Sequence, residues 1–272
     1  MAPQQPTASF VHQICADEVS YTYPSRSEPA LHGVSVCFHR AQLVAIVGHN
    51  GAGKTTLVRC LLGQLSPSTG RITVDGEPLV VGPSWRNLVA YVPQRLTPLD
   101  VTIRQYVTLG ADVPEDDLQN ALERVGAEWA LPVLDMRLGF TAHSGTQIST
   151  GQRQLLGLAR VLLRPSVRLI ILDEPYTGLD TSHVTRLLEC CRDLSRDRLV
   201  LIVAHRDRIA EAADYVVWMD EGHVRAQGPA ASLQSLCEYR TFWASSTDVA
   251  PASSLARGTN PCPGGAPSGN VG

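Results

Sequence analysis

The sequence predicts an α/β domain built on a mostly parallel sheet with helices on both faces. Three observations predict it. Short apolar runs at 42–47, 167–172 and 199–203 alternate with segments of helical periodicity, the pattern of strand–helix–strand units feeding one sheet. The first run leads directly into a glycine-rich loop and then into the helical stretch Leu57-Val58-Arg59-Cys60-Leu61-Leu62. The second ends in a carboxylate pair, Asp173-Glu174, and the third in Ala204-His205.

The chain has 272 residues and a net charge of −3. That length buries a sizeable core, and that charge gives no bulk attraction to nucleic acid or to an anionic membrane surface. No apolar run approaches the roughly 18 residues of a membrane-spanning helix. The N-terminus, Met1-Ala2-Pro3-Gln4-Gln5-Pro6, lacks the basic and apolar regions of a signal peptide. Seven scattered cysteines, without a C-x-x-C pair, read as reduced thiols, most of them buried as small hydrophobes.

Residues 1–10 are polar and contain proline, and are expected to be flexible. The alternation and β-branched content of 11–21 and 31–38 predict antiparallel strands joined by a loop through Pro24 and Pro29. Residues 71–76 and 88–92 predict two more strands, the second stopped by Pro93-Gln94. From about 95 to 165 the pattern turns helical, which predicts a helical subdomain inserted into the α/β core. Pro114 stands at a helix start with Glu115, Asp116 and Asp117 near the positive dipole end, and Gly126 closes that helix. Further helices are predicted over 151–163 and 182–194, and a final hairpin over 215–219 and 223–226. Residues 245–272 are Ser, Pro, Gly and Ala with almost no large apolar side chain, which predicts a disordered tail.

The glycine loop carries the first chemistry. Gly48, His49, Asn50, Gly51, Ala52, Gly53, Lys54, Thr55 and Thr56 satisfy G-x-x-x-x-G-K-[ST] between a strand and a helix. Glycines let several backbone N–H groups converge on one anion, and the helix N-terminus behind them favours negative charge. Lys54 is expected to reach the β- and γ-phosphates, and the Thr55 hydroxyl to sit on Mg²⁺. Of 23 basic residues, 22 are arginine, and Lys54 is the sole lysine. A compact ammonium stands where a planar guanidinium would not fit. The fold class is therefore a P-loop NTPase core. Asp173, closing its strand, is expected to hold Mg²⁺, and Glu174 to polarise the water that attacks the γ-phosphate.

With Ile148-Ser149-Thr150-Gly151-Gln152-Arg153-Gln154 just before Asp173-Glu174-Pro175, the sequence resembles the nucleotide-binding domain of ATP-binding cassette (ABC) transporters. The resemblance covers residues 11–244 in family order. It implies ATP and Mg²⁺ as ligands and a head-to-tail dimer of two cassettes, homo- or heterodimeric. Each ATP would lie between one phosphate loop and the other subunit's signature, so Ser149, Gly151 and Gln152 would touch the partner's nucleotide. Tyr23 matches the aromatic that stacks on adenine, with Tyr21 as the fallback. Gln94 matches the glutamine that senses the γ-phosphate through Mg²⁺ and contacts the membrane partner, which adds it to Thr55 and Asp173 around the metal. Residues 177–180 match the loop that crosses the dimer interface, and His205 matches the switch histidine. His49 is expected to point away from the nucleotide.

The stretches 102–110, 131–139 and 204–206 look exporter-like, whereas Gly48-His49-Asn50-Gly51 also occurs in vitamin and metal-ion importers. The resemblance thus implies an ATPase on the cytoplasmic face of a membrane, powering export through a membrane-spanning permease on a separate chain or a removed domain. An importer ATPase, a weakly hydrolysing regulatory cassette and a soluble ABC protein stay open as alternatives. Three departures bear on this. Thr150 replaces the first glycine of the signature, His143 stands where exporters often carry a coupling glutamate, and Tyr176 follows Pro175 where a small threonine is usual.

Overall fold

The run Gln42–Val47 forms the central strand (β3) of a six-stranded sheet, and its side chains explain the layering of the domain. Leu43, Ala45 and Val47 enter one apolar cluster, and Val44 and Ile46 enter another on the opposite face. A strand buried on both faces reads as a continuous apolar run rather than an alternating one. The structure is a computed structural model that describes residues 12–95, 100–138, 148–205 and 207–246, without the side chains of 207, 245 and 246.

Two antiparallel strands open the chain, β1 (Gln13–Tyr21) and β2 (Leu31–His39). After β3 and the glycine loop come helix α1 (Lys54–Leu61) and strands β4 (Thr69–Val74) and β5 (Glu77–Pro78). Helix α2 (Pro83–Leu88) leads into strand β6 (Val89–Val92). Helices α3 (Ile103–Thr108), α4 (Glu115–Val125) and α5 (Thr150–Leu162) make up the helical block, with a 3-10 turn at Glu128–Val133. The core then resumes with β7 (Leu169–Asp173), α6 (Thr181–Leu194) and β8 (Leu199–Ala204). It ends with α7 (Asp207–Ala212), β9 (Tyr215–Asp220), β10 (His223–Pro229), α8 (Ala230–Gln234) and α9 (Cys237–Ser246).

The main sheet runs β10-β9-β3-β8-β7-β6 and is parallel except for the β9–β10 hairpin. A separate antiparallel sheet, β2-β1-β4-β5, shares one apolar cluster with α1 and one face of the main sheet. Helices α3 to α9 contribute to the cluster on the other face. Among the described residues the helical block therefore shares its core with the sheet. Leu118, Leu122, Val125, Leu155 and Leu158 join Ile170, Leu172, Val200 and Ile202 of the sheet in one continuous cluster.

Local chemistry sets the helix ends. Glu115, Asp116 and Asp117 fill the first turn of α4, and Gly126 closes it in the left-handed region at φ 80°. Asp180 caps α6 by accepting from the His183 N–H at 2.9 Å.

The structure corrects the reading of the cysteines as reduced thiols. Cys15 and Cys37 lie directly opposite each other on β1 and β2 and form a disulfide, with Cα atoms 4.1 Å apart. Cys60, Cys190 and Cys191 are buried free thiols, and burial pushes Cys60 and Cys190 up to about 11. Strand 88–92 begins one residue later than expected because Leu88 ends α2. Helices α2 and α7 to α9 were not legible in the sequence. Residues 1–11, His143 and nearly all of the 245–272 tail lie outside the described residues, and only 245–246 fall within α9.

Candidate functional site

Four neighbouring parallel strands deliver the site. β6, β7, β8 and β3 end at the same edge of the sheet, and the chain leaving each carries one predicted residue or motif. They are Gln94 after β6, Glu174 after β7, His205 after β8 and the glycine loop after β3. Ligand crevices in parallel sheets form at these carboxyl ends. A cavity of about 580 Å³ opens there. It is lined by Tyr23, Asn50, Gly51, Ala52, Gly53, Lys54, Thr55, Thr56, Gln94 and Glu174, and also by Ser25, Arg26 and Ala30, which sequence reading missed.

The glycine loop has its shape because side chains do not fit in it. A Cβ on Gly48 would sit 2.2 Å from the Met219 carbonyl oxygen, and one on Gly53 would sit 2.7 Å from that of Ala30. Gly53, the residue just before α1, stands at φ 95°, in the left-handed region. Lys54, 6% exposed, donates from Nζ to the carbonyls of Gly48 and His49, at 2.8 Å each. Burial lowers its pKa, opposed by the carboxylates of Glu174 and Asp173. An ammonium has three N–H donors, so one remains for a ligand. The His49 ring lies edge-on to Phe242 of α9, with centroids 4.7 Å apart.

Tyr23 lines the cavity, and its hydroxyl lies 3.2 Å from Thr56 Oγ1. Tyr21 meets Tyr23 edge-on at 4.9 Å and packs partly buried against the sheet cluster.

Glu174 is where the separate strands meet. Its backbone is left-handed at φ 49°, a conformation that costs energy for a non-glycine residue and recurs at functional sites. Its N–H donates to Val203 O at 3.0 Å, and its carbonyl accepts from Thr177 Oγ1 at 3.1 Å. These bonds fix the turn that presents the side chain. Gln94 Nε2 donates to Glu174 Oε2 at 2.5 Å, and His205 Nδ1 lies 3.3 Å from Oε1.

Asp173 does not line the cavity and is 6% exposed. Burial raises its pKa, and the charge of Glu174 adds to this; the Tyr91 hydrogen bond and the cations Lys54 and Arg59 oppose it. Tyr91 Oη donates to Asp173 Oδ2 at 3.2 Å. The parallel register explains the meeting, since Tyr91 pairs with Ile171, two residues before Asp173 on the same face of β7.

Ser149, Gly151 and Gln152 are not part of the cavity. Ser149 and Gln152 line a second depression of about 290 Å³ with Trp129, Gly178, Leu179 and Asp180. Ser149 caps α5 reciprocally with Gln152. Its hydroxyl accepts from the Gln152 N–H at 3.0 Å, and its own N–H donates to Gln152 Oε1 at 2.8 Å. A Cβ on Gly151 would lie 2.3 Å from Gly178 O, so only glycine lets α5 approach the 177–180 loop this closely. Thr150 is the first residue of α5.

Three side chains that the sequence reading left unassigned hold the site together. Gln154, 1% exposed, donates from Nε2 to the carbonyls of Pro93 at 3.2 Å and Gln94 at 2.8 Å, tying α5 to the loop after β6. Tyr91 holds Asp173. Tyr176, flagged only as a departure in residue type, meets His205 twice through its hydroxyl.

A family model described as "ABC transporter" matches residues 31–177. The glutathione/L-cysteine transport system ATP-binding/permease protein CydC of Escherichia coli (strain K12) is 32% identical over 219 residues, 79% of this chain and 38% of that protein. The ATP-dependent lipid A-core flippase of Chromobacterium violaceum is 33% identical over 216 residues, 78% of this chain and 37% of that protein. Among solved structures, a bacterial Atm1-family ABC exporter with ATP bound superposes with a TM-score of 0.78 at 28% identity, over 87% of this chain and 42% of that one. The chain spans about two fifths of the length of these proteins.

Proposed function

The chain belongs to the ABC transporter family, and from that premise we propose that it binds and hydrolyses ATP to power export through a membrane-spanning partner. The observation that carries the reading is Glu174. A carboxylate that Gln94 and His205 both approach stands in one cavity with the sole lysine of the chain.

Each residue has work that its position supports. Tyr23 offers a ring to the adenine. The loop N–H groups and the free N–H of Lys54 hold the phosphates. Glu174 polarises the attacking water, Gln94 orients that carboxylate, and His205 meets the γ-phosphate. Phosphoryl transfer asks the protein for positioning and charge stabilisation, and this set supplies both. Thr55, Asp173 and Gln94 offer the hard oxygen donors that suit Mg²⁺. Among the described residues no group of three His, Cys, Asp or Glu is placed to hold an ion. Held there, Mg²⁺ would supply positive charge that offsets the charge of the phosphates.

Ser149 and Gln152 line a depression of their own, with Gly151 packed behind them against Gly178, which supports the reading that this signature serves the ATP of a second cassette. No described helix is long and apolar enough to cross a membrane. On this reading the membrane-spanning partner is a separate chain or a domain outside the described residues, and the cassette works on the cytoplasmic face of the membrane. The similarity to a lipid A-core flippase and to an exporter structure favours export over import.

A pull-down of the natively expressed, tagged protein from membranes in mild detergent tests the transport half. A polytopic membrane segment of exporter topology, in the bait itself or at matching abundance beside it, is the expected result. An importer-type permease would overturn the direction, and exclusively soluble partners would overturn transport altogether.

A further inference from the structure

The Tyr176 hydroxyl sits against His205 from two directions. The His205 backbone N–H donates to Tyr176 Oη at 2.9 Å, and Oη lies 3.1 Å from His205 Nδ1. The rings meet edge-on with centroids 5.4 Å apart, and Tyr176 is fully buried. Glu174 Oε1 approaches the same Nδ1, at 3.3 Å. One ring nitrogen thus has two candidate partners: Glu174 can only accept from it, whereas the Tyr176 hydroxyl can either accept from it or donate to it. A carboxylate only accepts, so a bond to Glu174 needs a proton on Nδ1. A phenol can donate, so a bond from Tyr176 needs Nδ1 bare and the proton on Nε2.

We propose that Tyr176 is a positioning residue, whose hydroxyl donates to His205 Nδ1 and so keeps the neutral imidazole protonated on Nε2. This rests on the hydrolytic reading above. The His205 backbone N–H donates to Oη, and Nδ1 lies 3.1 Å from Oη, within reach of the phenolic hydrogen. The consequence is twofold. Nε2–H is presented as a donor, the role His205 needs at a γ-phosphate oxygen. Nδ1 is also withheld from Glu174, so the carboxylate keeps its lone pairs for water. A short side chain such as threonine would not span the distance. The chain's departure from the usual residue thus coincides with a specific contact.

The test combines a spectroscopic and a kinetic readout on the wild-type protein, Tyr176→Phe and Tyr176→Thr. Long-range ¹H–¹⁵N correlation spectra of histidine-labelled protein at alkaline pH report which ring nitrogen carries the proton. The wild type is expected to show His205 protonated on Nε2. Tyr176→Phe fills the same space but removes the acceptor of the His205 backbone N–H, so its melting temperature is expected to fall only modestly while its His205 shifts toward the Nδ1–H form, with Glu174 as the remaining acceptor. Its kcat is expected to fall about ten- to a hundredfold with KM for ATP unchanged, the scale of a misplaced catalytic group. Tyr176→Thr should show the same tautomer shift. An Nδ1–H tautomer in the wild type overturns the proposal, as does a Phe variant with wild-type tautomer and kcat. If the wild type hydrolyses no ATP, the hydrolytic reading fails, and the tautomer spectra still decide the role of Tyr176.

Discussion

At the scale of the residue, the site concentrates charge that the fold alone would not favour. Lys54 and Asp173 are each 6% exposed, and burial works against the charged form of both. Replacing Lys54 by Ala removes a charge-assisted contact worth about 1.5–3 kcal/mol, so the ATP dissociation constant should rise about 10- to 100-fold in a calorimetric titration. Lys54→Arg should not restore it, because a planar fork cannot keep both loop carbonyls. Asp173→Asn keeps the Tyr91 contact and removes the cost of burying a carboxylate. The nucleotide-free variant should melt higher than the wild type, by about 2–4 °C for each kcal/mol relieved, and should lose the extra stabilisation that Mg-ATP gives the wild type. A lower melting point without nucleotide would contradict the burial account. Residues such as Lys54, Asp173 and Glu174 are legible in sequence because a local motif fixes their setting. Tyr91, Gln154 and Tyr176 are not, because their roles arise only when distant segments meet. Tyr91 needs the β6–β7 register, and Gln154 needs α5 against the loop after β6.

At the scale of the element, close approach and capping decide which substitutions the domain tolerates. Gly151→Ala would drive a Cβ into the Gly178 carbonyl and separate α5 from the 177–180 loop. Thermal denaturation should register a loss of about 1–3 kcal/mol, the cost of overpacking a tight contact. An unchanged midpoint would mean that the loop yields freely. The disulfide makes a different prediction. Peptide mapping after alkylation of the denatured, unreduced protein should recover Cys15 joined to Cys37, and reduction should lower stability by about 2–4 kcal/mol. Recovery of both cysteines alkylated before reduction would contradict the cross-strand link. The sequence carried no sign of this pair, since a spacing of 22 residues has no signature and only the β1–β2 register places the two side chains opposite each other. Buried parallel strands were legible because burial on both faces leaves unbroken apolar runs. The short helices α2, α7 and α8 were not, because five or six residues carry too little periodicity to separate from a loop.

At the scale of the whole molecule, the proposed function places two half-sites on one chain. The phosphate-loop cavity collects Lys54, Gln94 and Glu174, while Ser149 and Gln152 line a second depression with the 177–180 loop. A second cassette would complete each half with the other. The parallel sheet serves this arrangement by bringing the ends of β3, β6, β7 and β8 to one edge, so that Gln94 and His205 both reach Glu174. The central claim is that Glu174 drives ATP hydrolysis, and the steady-state ATPase rate of Glu174→Gln, measured alongside its ATP affinity, tests it most directly. The account predicts turnover reduced by at least about a hundredfold, the usual range for losing a general base, with ATP affinity preserved or increased. Turnover equal to the wild type, with ATP bound as tightly, would contradict it.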